Sequence, residues 1–158
     1  MHGASRPIPL APTRPTTRAP PLACRRYSAK LLKKPDQCRA VCRASYMFWS
    51  PVGEAPYRNG KRVLECLQRS LKIADACKAS NAHVGLFVEV LDAYLYQFEQ
   101  ENEHVTAGFI NSLAQLIERE LDANPDTDAK VKAHYGNAKA AIKSKKERNE
   151  RFQEIEIG

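Results

Sequence analysis

The sequence contains no apolar run that approaches the roughly 20 residues of a membrane-spanning helix, which argues against an integral membrane protein. It has only seven glycines in 158 residues, with no repeat at every third position, so a collagen-like chain is excluded. With 43% hydrophobic and 27% charged residues, the bulk of the chain can form a core. The length leaves room for one ordinary domain.

Motifs of catalysis and cofactor binding are also missing. The sequence has no phosphate-binding G-x-x-x-x-G-K-[ST] loop, no G-x-G-x-x-G and no G-x-S-x-G. Its five cysteines are an odd number without a C-x-x-C pair, and no histidine lies close in sequence to Cys38 or Cys42. We therefore predict no enzyme activity, no cofactor, no metal site and no disulfide framework. The unpaired cysteines favour a protein of a reducing compartment such as the cytosol.

Positive charge is concentrated at one end of the chain. The formal net charge is +7, but residues 1–45 carry ten basic residues and one acidic residue. Residues 46–129 carry seven basic and 13 acidic residues. The acidic middle part favours a protein surface as partner over a phosphate backbone, so we expect no nucleic acid.

Residues 1–26 differ in composition from the rest. They hold six prolines and five arginines and no acidic residue. Proline removes backbone donors and blocks helix formation, so we predict a disordered tail. A basic arm that binds nucleic acid, an organelle transit peptide and an artefact of a wrongly assigned start codon remain alternatives.

From Tyr27 onward, apolar residues recur at helical spacing, and no segment alternates with a period of two. Loops are indicated by proline and glycine at residues 50–57 and by Pro125. The predicted N-caps are Asp36, Asn59, Ser80-Asn81 and Asn102. The predicted helices cover about residues 36–49, 60–78, 82–100, 103–121 and a fifth segment after Asp126.

The third predicted helix is apolar over most of its circumference, which is typical of a helix that packs on more than one side. We predict an all-α fold of antiparallel helix hairpins. Periodicity alone leaves a short α-solenoid and a single bundle both open. Residues 151–158 are predicted to be a flexible C-terminal tail.

Three stretches carry a resemblance to a known family. They are LLKKPDQCRAV at 31–41, GKRVLECLQRSLKIAD at 60–75 and LFVEVLDAYLYQFEQENEHVT at 86–106. In this order they resemble the C-terminal end of the retromer large subunit, the vacuolar protein sorting-associated protein 35 family. The resemblance covers about residues 27–121 and implies a HEAT-like α-solenoid fragment over residues 27–150.

The resemblance also implies a function. Members are non-catalytic scaffolds of the retromer complex, peripheral on the cytosolic face of endosomes, in retrograde transport from endosome to Golgi. At this end they bind the small subunit, vacuolar protein sorting-associated protein 29, through helix faces, and they self-associate through the C-terminal helices. A truncated, non-functional helical fragment is the alternative.

Two expectations concern particular residues. The candidate partner interface lies on the second apolar stripe of the third helix and its tyrosines, Leu86, Val90, Ala93, Tyr94 and Tyr96. Because solenoid repeats bury their faces against neighbours, we also expect an exposed apolar face where the chain lacks a preceding repeat. That face would include Val41, Ala44, Phe48 and one side of the 63–71 segment.

Overall fold

The computed structural model describes residues 33–50 and 57–157. The predicted tail at residues 1–26 lies outside this part. Within it there are five helices, α1 Lys34–Tyr46, α2 Gly60–Asp75, α3 His83–Glu99, α4 Ala107–Ala123 and α5 Ala129–Lys146. Two-residue strands β1 (Trp49–Ser50) and β2 (Tyr57–Arg58) pair antiparallel, and short 3-10 turns cover Lys78–Ser80 and Glu150–Glu154. The prediction of an all-α fold is confirmed.

The apolar periodicity places the buried faces as predicted. On α2, Val63, Leu67 and Ala74 are buried at intervals of four and seven residues, which is one helical face. The side chain of Asn59 accepts a hydrogen bond from the amide of Arg62 at 3.1 Å and caps this helix, as predicted.

Three other helix starts differ from the prediction. α1 begins at Lys34, so Asp36 lies in its first turn and not at the N-cap. α3 begins after Ala82, which provides no side-chain cap, and Asn81 adopts a left-handed backbone with φ 53°. α4 begins after Thr106, whereas Asn102 lies buried in the preceding turn and accepts from the amide of His104. Asparagine is common both at helix N-caps and in tight turns, and in this chain Asn81 and Asn102 lie in turns.

The end of α1 is also shorter than predicted. The helix stops at Tyr46, and Phe48 is buried while Trp49 starts the small hairpin. The carbonyl of Phe48 accepts from the amide of Asn59 at 2.9 Å, which continues the β1–β2 pairing toward the start of α2. The α1–α2 connection is therefore held by backbone hydrogen bonds at both of its ends.

The helices form alternating layers around α3. Arg39 and Tyr46 on α1 contact Glu89 and Tyr96 on α3 in the same order along both helices, so α1 and α3 run parallel. Asp92 and Glu99 on α3 likewise meet α5. α3 also packs against α2 and α4. Short connections join α3 to both of them, so they run in the opposite direction. This repeat of antiparallel hairpins is the arrangement of an α-solenoid fragment.

The expected exposed apolar face is not present at Val41, Ala44 and Phe48, which are all buried. On the 63–71 segment, Val63 and Leu67 are buried, while Leu64 and Leu71 are half-buried and pack against the core. The reason is that α1 packs against both α2 and α3, so the first helix is covered within the chain. The prediction of exposure was wrong because it treated each hairpin as covered only by a preceding one.

The chain end is packed, in contrast to the flexible tail expected at residues 151–158. We call residues 150–157 the C-terminal strap. Phe152, Ile155 and Ile157 are buried in it. Asn111 on α4 bonds the strap twice, donating to the carbonyl of Glu154 and accepting from the amide of Glu156. The strap thus covers apolar surface at the end of the solenoid fragment, as a capping element does.

Candidate protein-interaction surface

The polar strip of α3 is tied to the helices on either side. Arg39 donates to the two carboxylate oxygens of Glu89 at 2.9 to 3.2 Å, a two-pronged pair between α1 and α3. On the other side, Asp92 meets His134 of α5 at 2.6 Å. These exposed contacts join the three parallel helices α1, α3 and α5 along one surface.

The structure places the five predicted interface residues in two environments. Leu86, Val90, Ala93 and Tyr94 are each 1% exposed and belong to the core. Tyr96 is half-buried at the surface, and its ring lies 5.0 Å from that of Tyr46. The second apolar stripe of α3 is therefore covered by this chain's own helices.

Tyr94 shows how tightly that stripe is covered. Its ring packs against Phe109 of α4 at 6.3 Å between centroids. Its hydroxyl has no hydrogen-bond partner within the described residues, and burial raises the pKa of this phenol well above its ordinary value. The phenol stays neutral and acts as an apolar filling group.

The accessible apolar side chains on this side of the molecule lie next to Tyr96. Tyr46 and Met47 are 38% and 44% exposed, at the end of α1. Arg43 is exposed one turn earlier and forms no ion pair with residues of the described ranges. We define these four residues, Arg43, Tyr46, Met47 and Tyr96, as the α1–α3 surface.

A shallow groove adjoins the α1–α3 surface. Its volume is about 270 Å³, and its lining comes from α1 and α3. The lining residues are Arg39, Cys42, Arg43, Tyr46, Glu89 and Asp92. Aromatic residues, methionine and arginine are the types enriched at the core of protein interfaces. The groove and the surface together therefore suit contact with a protein side chain.

The thiols beside this groove are unreactive. Burial raises the pKa of Cys38 and of Cys42 to about 12, so neither forms a nucleophilic thiolate near neutral pH.

Across residues 33–50 and 57–157, no three histidine, cysteine or acidic side chains are grouped as metal ligands would be. No helix in those ranges combines the length and apolar character needed to cross a membrane.

Sequence reasoning missed Tyr46 and Met47 as surface residues. The signal available in the sequence was the run of large apolar residues Met47, Phe48 and Trp49 at the predicted end of the first helix. The periodicity placed Tyr46 and Met47 inside a continuing helix, whereas the helix stops at Tyr46 and turns them outward.

Comparisons with known proteins give a consistent result. The family model described as vacuolar protein sorting-associated protein 35 matches residues 21–120. The chain is 47% identical over 107 residues to vacuolar protein sorting-associated protein 35B of Arabidopsis thaliana, covering 62% of this chain and 13% of the relative. It is 44% identical over 101 residues to vacuolar protein sorting-associated protein 35 of Schizosaccharomyces pombe, covering 62% and 12%.

A more distant relative agrees. Vacuolar protein sorting-associated protein 35 of Dictyostelium discoideum is 28% identical over 92 residues, covering 58% of this chain and 12% of the relative. The match thus spans only 12% to 13% of the length of these three proteins.

Proposed function

Because the chain belongs to the vacuolar protein sorting-associated protein 35 family, we propose that it is a non-catalytic scaffold in retromer-dependent transport from endosome to Golgi. Its helix hairpins around α3 support this proposal, since stacked hairpins present extended faces to partners. The proposed location is peripheral, on the cytosolic face of the endosome membrane. Self-association through α4 and α5 is part of the same proposal, to be tested by sedimentation of the purified chain.

The proposed partner is the small retromer subunit, vacuolar protein sorting-associated protein 29, and the proposed contact is the α1–α3 surface. The exposure of Tyr46 and Met47 beside Tyr96 is the observation that carries this choice. Large apolar side chains grouped on an ordered surface release water on binding and lose little entropy. The Arg39–Glu89 pair supplies that order.

The residues predicted at an interface take two roles in this proposal. Tyr96 contacts the partner directly. Leu86, Val90, Ala93 and Tyr94 act on the partner only by holding α3 in position, since each is almost wholly buried. A charge at Val90 would therefore unfold the chain and is unsuitable as a test of binding.

The test is isothermal titration of the small subunit into the purified chain and two variants. Met47→Glu places a charge within the α1–α3 surface, and we expect it to weaken binding at least about tenfold. Gln68→Glu adds the same charge to an exposed position on α2, outside this surface, and should bind like the wild type. Circular dichroism of both variants checks that they remain folded.

Two outcomes would contradict the proposal. If the folded wild-type chain does not bind the small subunit, the partner is wrong. If Met47→Glu and Gln68→Glu weaken binding equally, the partner contacts another face or responds only to net charge.

A further inference from the structure

The C-terminal strap lies in a groove built from three helices. The ring of Phe98 on α3 and the backbone at Asn102 and Val105, in the α3–α4 corner, form one end of it. Asn111 on α4 contacts the strap further along, and Lys145 on α5 lies 5.5 Å from the centre of an aromatic ring of the strap. We call this surface the strap groove, and its contacts with the strap show which kind of segment it fits.

One end of the strap groove is complementary to an arginine followed by an aromatic residue. Arg151 of the strap donates to the carbonyls of Asn102 and Val105 at 3.1 and 3.2 Å. Its guanidinium also lies 4.3 Å from the centre of the Phe98 ring, against which Phe152 packs edge-on. Carbonyl oxygens and the face of an aromatic ring both carry partial negative charge, so this end of the groove matches a planar cation.

Asn111 holds the strap by its main chain. Its side-chain amide donates to the carbonyl of Glu154 at 3.4 Å and accepts from the amide of Glu156 at 2.9 Å. Ile155, between them, is extended and fully buried. Because every peptide segment carries such main-chain groups, this contact positions a bound segment without selecting its side chains.

The buried side chains of the strap recur at a fixed spacing. Phe152, Ile155 and Ile157 are 1%, 0% and 9% exposed. The 3-10 turn over Glu150–Glu154 places residues three apart on one side, and the extended backbone after it places residues two apart on one side. The exposed strap residues are Glu150, Gln153, Glu154 and Glu156. The strap groove thus selects an aromatic residue with branched aliphatic residues three and five positions after it.

The strap reaches its groove through a short connection. α5 ends at Lys146, and residues 147–149 lead to the 3-10 turn. A ligand on so short a connection is present at a high effective concentration, on the order of millimolar. A separate segment with the same contacts therefore binds only in proportion to the fraction of chains in which the strap has left the groove.

We propose that the strap groove is a docking site for a segment of a partner protein, and that the strap is its intramolecular competitor. The segment recognised has an arginine, an aromatic residue directly after it, and branched aliphatic residues three and five positions after the aromatic one. The Arg151 contacts supply the charge complementarity, and Asn111 supplies main-chain hydrogen bonds for any segment of this shape. Phe98 follows Tyr96 by two residues, about 200° around α3, so this site is separate from the α1–α3 surface.

The probe is a fluorescein-labelled peptide with the sequence of residues 149–157, titrated into the full chain and followed by fluorescence anisotropy. In the wild type the strap competes with the peptide. Phe152→Ala weakens the strap and leaves the groove intact, so we expect the peptide to bind this variant at least about tenfold more tightly. Because the peptide binds the folded state, it should also raise the unfolding temperature of Phe152→Ala, which reports binding even where this variant is partly unfolded.

Two variants in the Phe152→Ala background locate the bound peptide. Asn111→Ala removes both main-chain hydrogen bonds of the groove and should weaken peptide binding about tenfold. Asn137→Ala makes the same change at an exposed position of α5, outside the groove, and should leave binding unchanged. A peptide with alanine at the position of Phe152 and a scrambled peptide of the same composition should both fail to bind.

The wild-type chain provides a test that needs no variant. The ¹⁵N amide of Glu156, which donates to Asn111, is observed in the labelled full chain while unlabelled peptide is added in large excess. We expect the Glu156 signal to move from its folded position toward that of a free peptide as the strap is displaced.

Several results would overturn the proposal. A folded Phe152→Ala chain that does not bind the peptide would make the strap a structural cap only, and equal binding of the scrambled peptide would show that the pattern is not recognised. Equal effects of Asn111→Ala and Asn137→Ala, or an unchanged Glu156 signal at saturation, would place the peptide elsewhere. A wild-type dimer that excess peptide dissociates would make the strap of a second copy the occupant of the groove.

Discussion

The ring of Phe152 stands edge-on to the ring of Phe98, with their centroids 5.2 Å apart, although α4 and α5 separate the two residues in sequence. Beside them, the guanidinium of Arg151 lies 4.3 Å from the centre of the Phe98 ring and donates to the carbonyls of Asn102 and Val105. These contacts join the C-terminal strap to the corner between α3 and α4. The strap is therefore part of the folded unit.

Replacing Phe152 by alanine should strongly destabilise the chain. The ring is 1% exposed, and losing a buried phenylalanine costs about 3 kcal/mol or more through lost transfer energy and the cavity left behind. The measurement is urea unfolding followed by the fluorescence of Trp49, the only tryptophan. Phe152→Leu should lower the free energy of unfolding by less than Phe152→Ala does. If Phe152→Ala lowers it by no more than about 0.5 kcal/mol, the strap is not packed.

Two glycines should respond to alanine with opposite signs. A Cβ at Gly60 would lie 2.3 Å from Oδ1 of Asn102 and 2.8 Å from Nδ1 of His104, so Gly60→Ala should destabilise by about 1–3 kcal/mol. Gly136 lies exposed inside α5 with nothing near a new Cβ, so Gly136→Ala should stabilise by about 0.5–1 kcal/mol. Thermal unfolding of both variants measures the difference, and shifts of equal sign would contradict the close approach at Gly60.

Glu120 should make stability depend on pH. Its folded-state pKa is lowered, so its contribution is present above the unfolded value of about 4.3 and is lost as pH falls through the folded value. The stability advantage of the wild type over Glu120→Gln should therefore shrink between about pH 5 and pH 3. Urea unfolding across this range measures it.

The Lys78 contact provides the control for this prediction. Lys78 lies 3.3 Å from Glu120, so Lys78→Met removes one source of the lowered pKa. When Glu120→Gln is made in the Lys78→Met background, the pH dependence of its effect on stability should be smaller than in the wild type. An advantage of the wild type over Glu120→Gln that stays constant from about pH 6 to pH 3 would show that the ion pairs of Glu120 do not stabilise the fold.

The spacing of apolar residues predicted the helices because the buried face of each helix recurs at regular intervals along that helix. Val63 and Leu67 on α2, for example, are apolar at helical spacing and are buried together. It failed where distant contacts decide burial. Phe152 is buried by Phe98, and nothing near either residue in sequence indicates that pairing. The prediction of a flexible tail followed from that missing information.

The candidate surface was only partly predictable for the same reason. The apolar character of Val90 and Ala93 was evident, but the sequence does not tell whether a partner or a neighbouring helix covers them. Tyr96 was found because tyrosine is common at interfaces. Tyr46 and Met47 became visible only when α1 was seen to end one turn earlier than its periodicity indicated.

The central claim, that the α1–α3 surface contacts the small retromer subunit, is tested most directly by the methyl signal of Met47. The chain has two methionines, Met1 and Met47, so methyl labelling gives two signals, and Met47→Leu assigns the second. Unlabelled small subunit is added while complex formation is followed by sedimentation. We expect the Met47 signal to shift and saturate with the fraction bound, and a complex that leaves this signal unchanged would contradict the claim.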